Sequence, residues 1–182
     1  IHVMIKFSAF ADEISTDFDE QVQFLVNQNI NYIEIRFVNK KNIVDLTKSE
    51  RNEVYKKLTD NRLQLSAVAS PIGKINIDKP FQPHFDKFKY AAEIAHELKA
   101  PFLRVFSYYP PEGESIDNYK DEVLIRMAKK ADFLKGTNLI LVHENESHIF
   151  GHNAQNCVEI IKHVNSPNLK LAYDPANFVW GD

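Results

Sequence analysis

Six apolar, β-branched runs recur along the chain, at residues 5–10, 32–37, 63–69, 102–106, 139–143 and 169–173. Stretches of roughly 30 to 40 residues with helical periodicity separate them, so the chain reads as six successive βα units. Helix starts are marked locally. Asp17-Phe18-Asp19-Glu20 reads as a capping box ahead of Val22, Leu25 and Val26, and Thr47-Lys48-Ser49-Glu50 as another ahead of Val54 and Leu58. The third helix carries Phe85, Phe88, Ala92, Ala95 and Leu98 on one face, the fourth Val123, Met127, Ala131 and Leu134, the fifth Val158, Ile161 and Val164. Each stripe suits a helix laid on a parallel sheet. No Pro/Gly/Ser-rich linker divides residues 1–182, which predicts one domain, with a loop from Ser107 to Asn118 as its longest irregular segment.

Function classes are bounded by composition. With 44% hydrophobic and 26% charged residues, the usage is that of a soluble cytoplasmic α/β domain. A net charge of −3 offers no electrostatic reason to bind nucleic acid or an acidic membrane. No apolar run approaches the roughly 20 residues needed to span a bilayer, and no signal layout opens the chain. Ile1-His2-Val3 reads as residues added ahead of a native start at Met4. The lone Cys157 sits in a helical pattern beside Val158 and Ile161, where a buried, inert thiol is favoured over a nucleophile.

Six βα units fit either an open doubly wound sheet or part of an eight-unit barrel. Alternation in Tyr32-Ile33-Glu34-Ile35-Arg36-Phe37 puts Glu34 and Arg36 on one face and Ile33 and Ile35 on the other. A strand sandwiched between helix layers should be apolar on both faces, whereas a barrel strand can point polar residues into the mouth. Arg104 between Leu103 and Val105 repeats the pattern, as does Asp174 in line with Ala172, leaving Leu171 and Tyr173 to face the helices. The barrel is therefore the expectation. Glu34 and Arg36 have two readings, an inward structural ion pair and substrate contacts, and the two are compatible.

Leu141-Val142-His143-Glu144 and Leu171-Ala172-Tyr173-Asp174 each run from an apolar strand into a carboxylate. Catalytic groups of parallel β/α folds sit at the carboxyl ends of strands, so Glu144 and Asp174 are base or ligand candidates. The chain ends eight residues after Asp174, and a site begun by this pair is expected to be half built.

Taken in order, Ile33-Glu34-Ile35-Arg36, Ser70-Pro71-Ile72-Gly73-Lys74, Arg104-Val105-Phe106-Ser107-Tyr108-Tyr109, His143-Glu144-Asn145-Glu146 and Asp174-Pro175-Ala176-Asn177-Phe178 carry a resemblance. Together they resemble the sugar phosphate isomerase/epimerase family of the xylose isomerase-like TIM-barrel superfamily. The resemblance implies a (β/α)8 barrel of which about the first six βα units are present, in one domain over 1–182 truncated before barrel strands seven and eight. It implies one divalent metal ion, Mn2+, Mg2+, Zn2+ or Co2+, held by a Glu after barrel strand five, an acid after six, a His after seven and a Glu after eight. Glu144 and Asp174 match the first two positions. The implied activity is isomerisation or epimerisation of a sugar or keto-sugar: Glu144 removes a proton next to a carbonyl, and the metal stabilises the resulting enediolate as a Lewis acid. Glu144 would thus be both ligand and general acid/base.

Competing roles stand beside these. Glu144 also suits a helix cap or an ion pair, and Asp174 ahead of Pro175 suits a helix start. Substrate contacts are assigned to Glu34, Arg36, Lys74, Arg104 and His148, against plain solvation for Lys74 and His148. Arg104, planar and inward, is the better anion or hydroxyl binder. Ser8, Phe10 and Asp12 fall where the family places a wall of the sugar pocket. His143 should face the helices, and His84, His96 and His163 the solvent. Two rival activities use the same fold, keto-inositol or keto-sugar dehydration and hydrolysis of DNA at abasic sites, and the acidic balance speaks against the second. The chain is also compatible with a catalytically incomplete sugar-binding or structural fragment, inactive alone. Open sheet edges would then favour association into a homo-oligomer.

Overall fold

The structure, a computed structural model, describes residues 5–180, so the reading of Ile1 to Met4 lies outside the described residues. Its strands are β1 (Ser8–Ala9), β2 (Tyr32–Ile35), β3 (Phe37–Val38), β4 (Lys41–Asn42), β5 (Gln64–Val68), β6 (Phe102–Val105), β7 (Ile140–Glu144) and β8 (Leu169–Ala172). The principal helices are α1 (Phe18–Asn27), α2 (Lys48–Asp60), α3 (Phe81–Glu97), α4 (Lys120–Phe133), α5 (Ala154–Val164) and α6 (Pro175–Trp180). Six strands form one parallel sheet in the order β1-β2-β5-β6-β7-β8, while β3 and β4 make a separate antiparallel hairpin. The order follows the sequence without reversal. A doubly wound sheet would turn back on itself at a switch point, so this is the wall of a partial barrel.

Registered neighbours in a parallel ladder point to the same face, which fixes the concave side. Glu34 lies beside Ala67, Ala67 beside Phe102, Arg104 beside Val142, and Glu144 beside Ala172. A register shift after Ile33 skips Ser66, whose hydroxyl meets the Ile33 carbonyl at 2.9 Å and the Ser8 hydroxyl at 2.6 Å. On the convex side Ile33, Ile35, Leu103, Val105 and Leu141 are fully buried under the helices. Each such side chain contributes about 1.5–3 kcal/mol.

Local signals and structure mostly coincide. Thr47 and Glu50 form a reciprocal capping box. Asp17 caps α1 through the Asp19 and Glu20 amides, but Glu20 turns to the Ser15 hydroxyl, so that cap is one-sided. The α4 stripe is buried throughout, whereas on α5 the buried residues are Cys157 and Ile160, and Val158 is exposed. Ile161 and Val164 do pack, half-buried, against the core, so the expected stripe fails only at Val158, which α5 turns outward. His84 is likewise buried rather than exposed, its Nε2 accepting the Gly73 amide at 3.0 Å; burial first, then nearby lysines and Arg126, depresses its pKa to about 4. Leu171 and Tyr173 remain substantially exposed, with the Tyr173 ring tilted against that of Phe178 at 5.6 Å. Among the described residues no helix is long and apolar enough to cross a membrane.

Candidate active site

At the carboxyl ends of the strands, Arg104 is the hub. Its Nη1 donates to Glu144 Oε2 at 3.0 Å and its Nη2 to the Ala69 carbonyl at 3.3 Å. The guanidinium also lies 5.3 Å from the Phe10 ring centre and 5.1 Å from that of Phe106. Two aromatic faces and two acceptors hold the cation in one orientation. Glu144, with 14% of its side chain exposed, has its pKa raised, first by burial. The charge and hydrogen bond of Arg104 oppose that rise, Asp174 adds to it, and Lys74 opposes it. Glu144 Oε1 has no hydrogen-bond partner among the described residues.

Glu34 faces the same space without a hydrogen bond or ion pair among the described residues. Burial raises its pKa, Arg104 opposes, Glu144 adds to the rise and Arg36 opposes. The inward Glu34–Arg36 ion pair read from strand alternation does not form. Arg36 lies in a bend just past β2, where alternation no longer governs direction, and reaches Asp12 at 2.8 Å and Glu13 at 3.4 Å. Its guanidinium covers the Phe10 ring at 5.2 Å, so Phe10 stands in contact with both Arg36 and Arg104.

Lys74 donates to Glu146 at 2.8 Å and sits 4.4 Å from the Phe106 ring centre. Its loop is laid against the segment after β6: the Phe106 amide bonds the Ile72 carbonyl and the Tyr108 amide the Gly73 carbonyl. Gly73 has φ +98°, and a Cβ there would lie 2.0 Å from the Phe106 carbonyl oxygen. His148 is exposed at φ +64° and makes no hydrogen bond among the described residues, so the structure does not gather it with the others. His143 does face the helices: it is fully buried, with Nε2 2.9 Å from the Ser107 hydroxyl.

Asp174 caps α6, its Oδ1 accepting the Ala176 and Asn177 amides at 2.8 and 3.2 Å. Capping and ligation are therefore compatible, since Oδ2 is left without a hydrogen-bond partner among the described residues. Asp174 raises the cost of ionising Glu144, and the two carboxylates, each with one oxygen free among the described residues, suit a divalent cation as two hard ligands. No group of three or more His, Cys, Asp or Glu side chains among the described residues is arranged to hold a metal. Sequence reasoning missed Asn145, which is 2% exposed and joins Asp174 by two hydrogen bonds of 2.8 Å. Its place beside Glu144 was visible, but its partner lies 29 residues away.

Comparison with known proteins follows the same outline. The family model described as xylose isomerase-like TIM barrel matches residues 22–182. No curated protein matches. Solved structures do match, an AP endonuclease of family 2 from Brucella melitensis among them. The probable 3-DHS dehydratase AsbF from Bacillus anthracis, involved in petrobactin synthesis, superposes with TM-score 0.78 at 17% identity, over 96% of this chain and 65% of its own. D-allulose 3-epimerase from Methylomonas sp., in complex with D-allulose, gives 0.75 at 13%, over 98% and 65%. A xylose isomerase-like TIM-barrel protein from Mycobacterium smegmatis, in complex with magnesium, gives 0.70 at 16%, over 94% and 59%. The chain thus spans less than two thirds of the length of each of these three proteins.

Proposed function

The chain belongs to the xylose isomerase-like TIM-barrel family, and on that premise we propose that it forms the Glu144-bearing part of a cytoplasmic, metal-dependent sugar or keto-sugar isomerase or epimerase. The observation that carries this reading is the Glu144–Asp174 pair at adjacent strand ends, backed by Arg104. Glu144 and Asp174 would hold a divalent ion, Mn2+, Mg2+, Zn2+ or Co2+. When bound, such an ion supplies Lewis-acid stabilisation of charge developing on substrate oxygens.

The protein's own groups do the rest. Glu144 takes the proton from one face of the carbon beside the carbonyl; isomerisation delivers it to the neighbouring carbon, whereas epimerisation needs a second acid to protonate the same carbon from the opposite face. The raised pKa of Glu144 brings a carboxylate nearer the strength such a base needs. Arg104 holds Glu144 by Oε2, keeping the other oxygen free to act. Glu34 accepts hydrogen bonds from substrate hydroxyls. Arg36 and Lys74, already paired with carboxylates, line the rim of the mouth, with His148 as a more distant contact. The net charge of −3 gives no electrostatic basis for binding nucleic acid, which favours a small polyol as the substrate.

Dehydration of a keto-sugar or keto-inositol is the second reading. It is favoured by Glu34, a carboxyl without a hydrogen-bond partner among the described residues, whose raised pKa fits an acid that protonates a departing hydroxyl. One experiment tests both. The protein is incubated with Mn2+ and a panel of keto-sugars in deuterated water and followed by NMR. Carbon-bound deuterium supports proton abstraction, and the product separates epimer from dehydration. No exchange with any substrate in a protein that carries the complete barrel would overturn the proposal.

A further inference from the structure

We propose that Asn145 is a positioning residue that sets the spacing of the Glu144 and Asp174 carboxylates, and through it the affinity for a divalent cation. This rests on reading those carboxylates as cation ligands. The β7–β8 ladder ends at the Glu144–Ala172 rung. Beyond it the backbones have no further rung, and the Asn145 side chain takes over. Its Nδ2 donates to the Asp174 carbonyl and its Oδ1 accepts the Asp174 amide, both at 2.8 Å. The amide group thus binds one residue by donor and acceptor together, as a neighbouring strand would.

A third bond, from Asn177 Nδ2 to the Asn145 carbonyl at 2.9 Å, joins the same two segments without using the Asn145 side chain. Asn145 follows Glu144 directly, so the clamp ties the backbone of one candidate ligand to that of the other. Capping of α6 then fixes the Asp174 side chain through Oδ1, leaving Oδ2 for the cation. A residue only 2% exposed whose side-chain amide is committed to the backbone of one other residue is a costly way to hold a loop unless that placement matters.

The test is Mn2+ binding to the chain, read by electron paramagnetic resonance, with circular dichroism showing that each variant is folded. Asn145→Ala is expected to weaken Mn2+ binding about tenfold or more. Asn145→Asp is the sharper variant, because it keeps the volume and the acceptor, loses the donor, and adds a negative charge that by itself would strengthen cation binding. It too is expected to bind more weakly than wild type. Asn177→Ala, which spares the clamp, is expected to stay within about twofold. Undiminished binding in either Asn145 variant, or an equal loss in Asn177→Ala, would overturn the proposal. A wild-type chain whose Mn2+ binding is absent, or is indifferent to Glu144→Gln and Asp174→Asn, would overturn the cation reading itself and this inference with it.

Discussion

Arg104 of β6 donates to Glu144 at the end of β7 across 3.0 Å, with 8% and 14% of their side chains exposed. A largely buried pair of this kind is expensive to break from one side. Arg104→Met is expected to cost about 3 kcal/mol in urea denaturation at pH 7. It also removes the group that holds the Glu144 pKa down, so the acid limb of the activity profile should move to higher pH. An unmoved limb in a folded variant would show that Arg104 does not govern Glu144.

Glu144→Gln keeps the shape and an acceptor for Arg104 but removes the base. Exchange of substrate protons with deuterium in a complete-barrel protein is expected to fall at least about 100-fold, while circular dichroism shows the fold retained. Near wild-type exchange would assign the base elsewhere.

Lys130 is fully buried with Met127 Sδ, at 3.6 Å, as its one hydrogen-bond partner among the described residues, and sits 4.5 Å from the Tyr108 ring centre. Burial first, then Arg126, lowers its pKa from the ordinary 10.5 to about 7. His143, held near 3 by burial and then by Lys130, faces the same space, as does His84. Between about 7 and 10.5 the unfolded chain binds the Lys130 proton and the folded chain does not. Stability therefore falls as pH drops through that window, by up to about 1.4 kcal/mol per unit, and this contribution levels off below 7. Lys130→Met is expected to be about 1–4 kcal/mol more stable at pH 7 and to lose that slope, as urea titrations at pH 7, 8 and 9 would show.

Gly151 has no room for a side chain, since a Cβ would lie 2.2 Å from His143 Cε1 and 3.0 Å from the Ser107 hydroxyl. Gly151→Ala is expected to cost about 1–3 kcal/mol by displacing a buried ring. Gly73→Ala should cost more, because its φ of +98° adds backbone strain to a clash with the fixed Phe106 carbonyl. Equal thermal midpoints for the two variants would contradict this ranking.

Much of the fold was legible because its signals are local. Apolar runs at βα spacing, the Thr47 cap and the α3 and α4 stripes need only neighbours within a few residues, and parity along Glu34 and Arg104 pointed to a barrel wall. The same rule failed where the backbone stopped being regular, at Arg36 in its bend, and the helical stripe erred at Val158, which α5 turns outward. The β3–β4 hairpin, set in the connection between β2 and α2, left no alternation long enough to read.

The sequence by itself determined which residues stand at the strand ends, Glu144 and Asp174 above all, because strand periodicity and the first polar residue after an apolar run depend on chain order alone. Tertiary structure decided what each of them touches. That Arg104 holds Glu144, that Asn145 clamps Asp174, and that Lys130 lies sealed beside Tyr108 are pairings between separate elements. Such contacts follow from how strands are registered and helices seated on them, and a side chain's chemistry does not name its partner until that packing brings the two together.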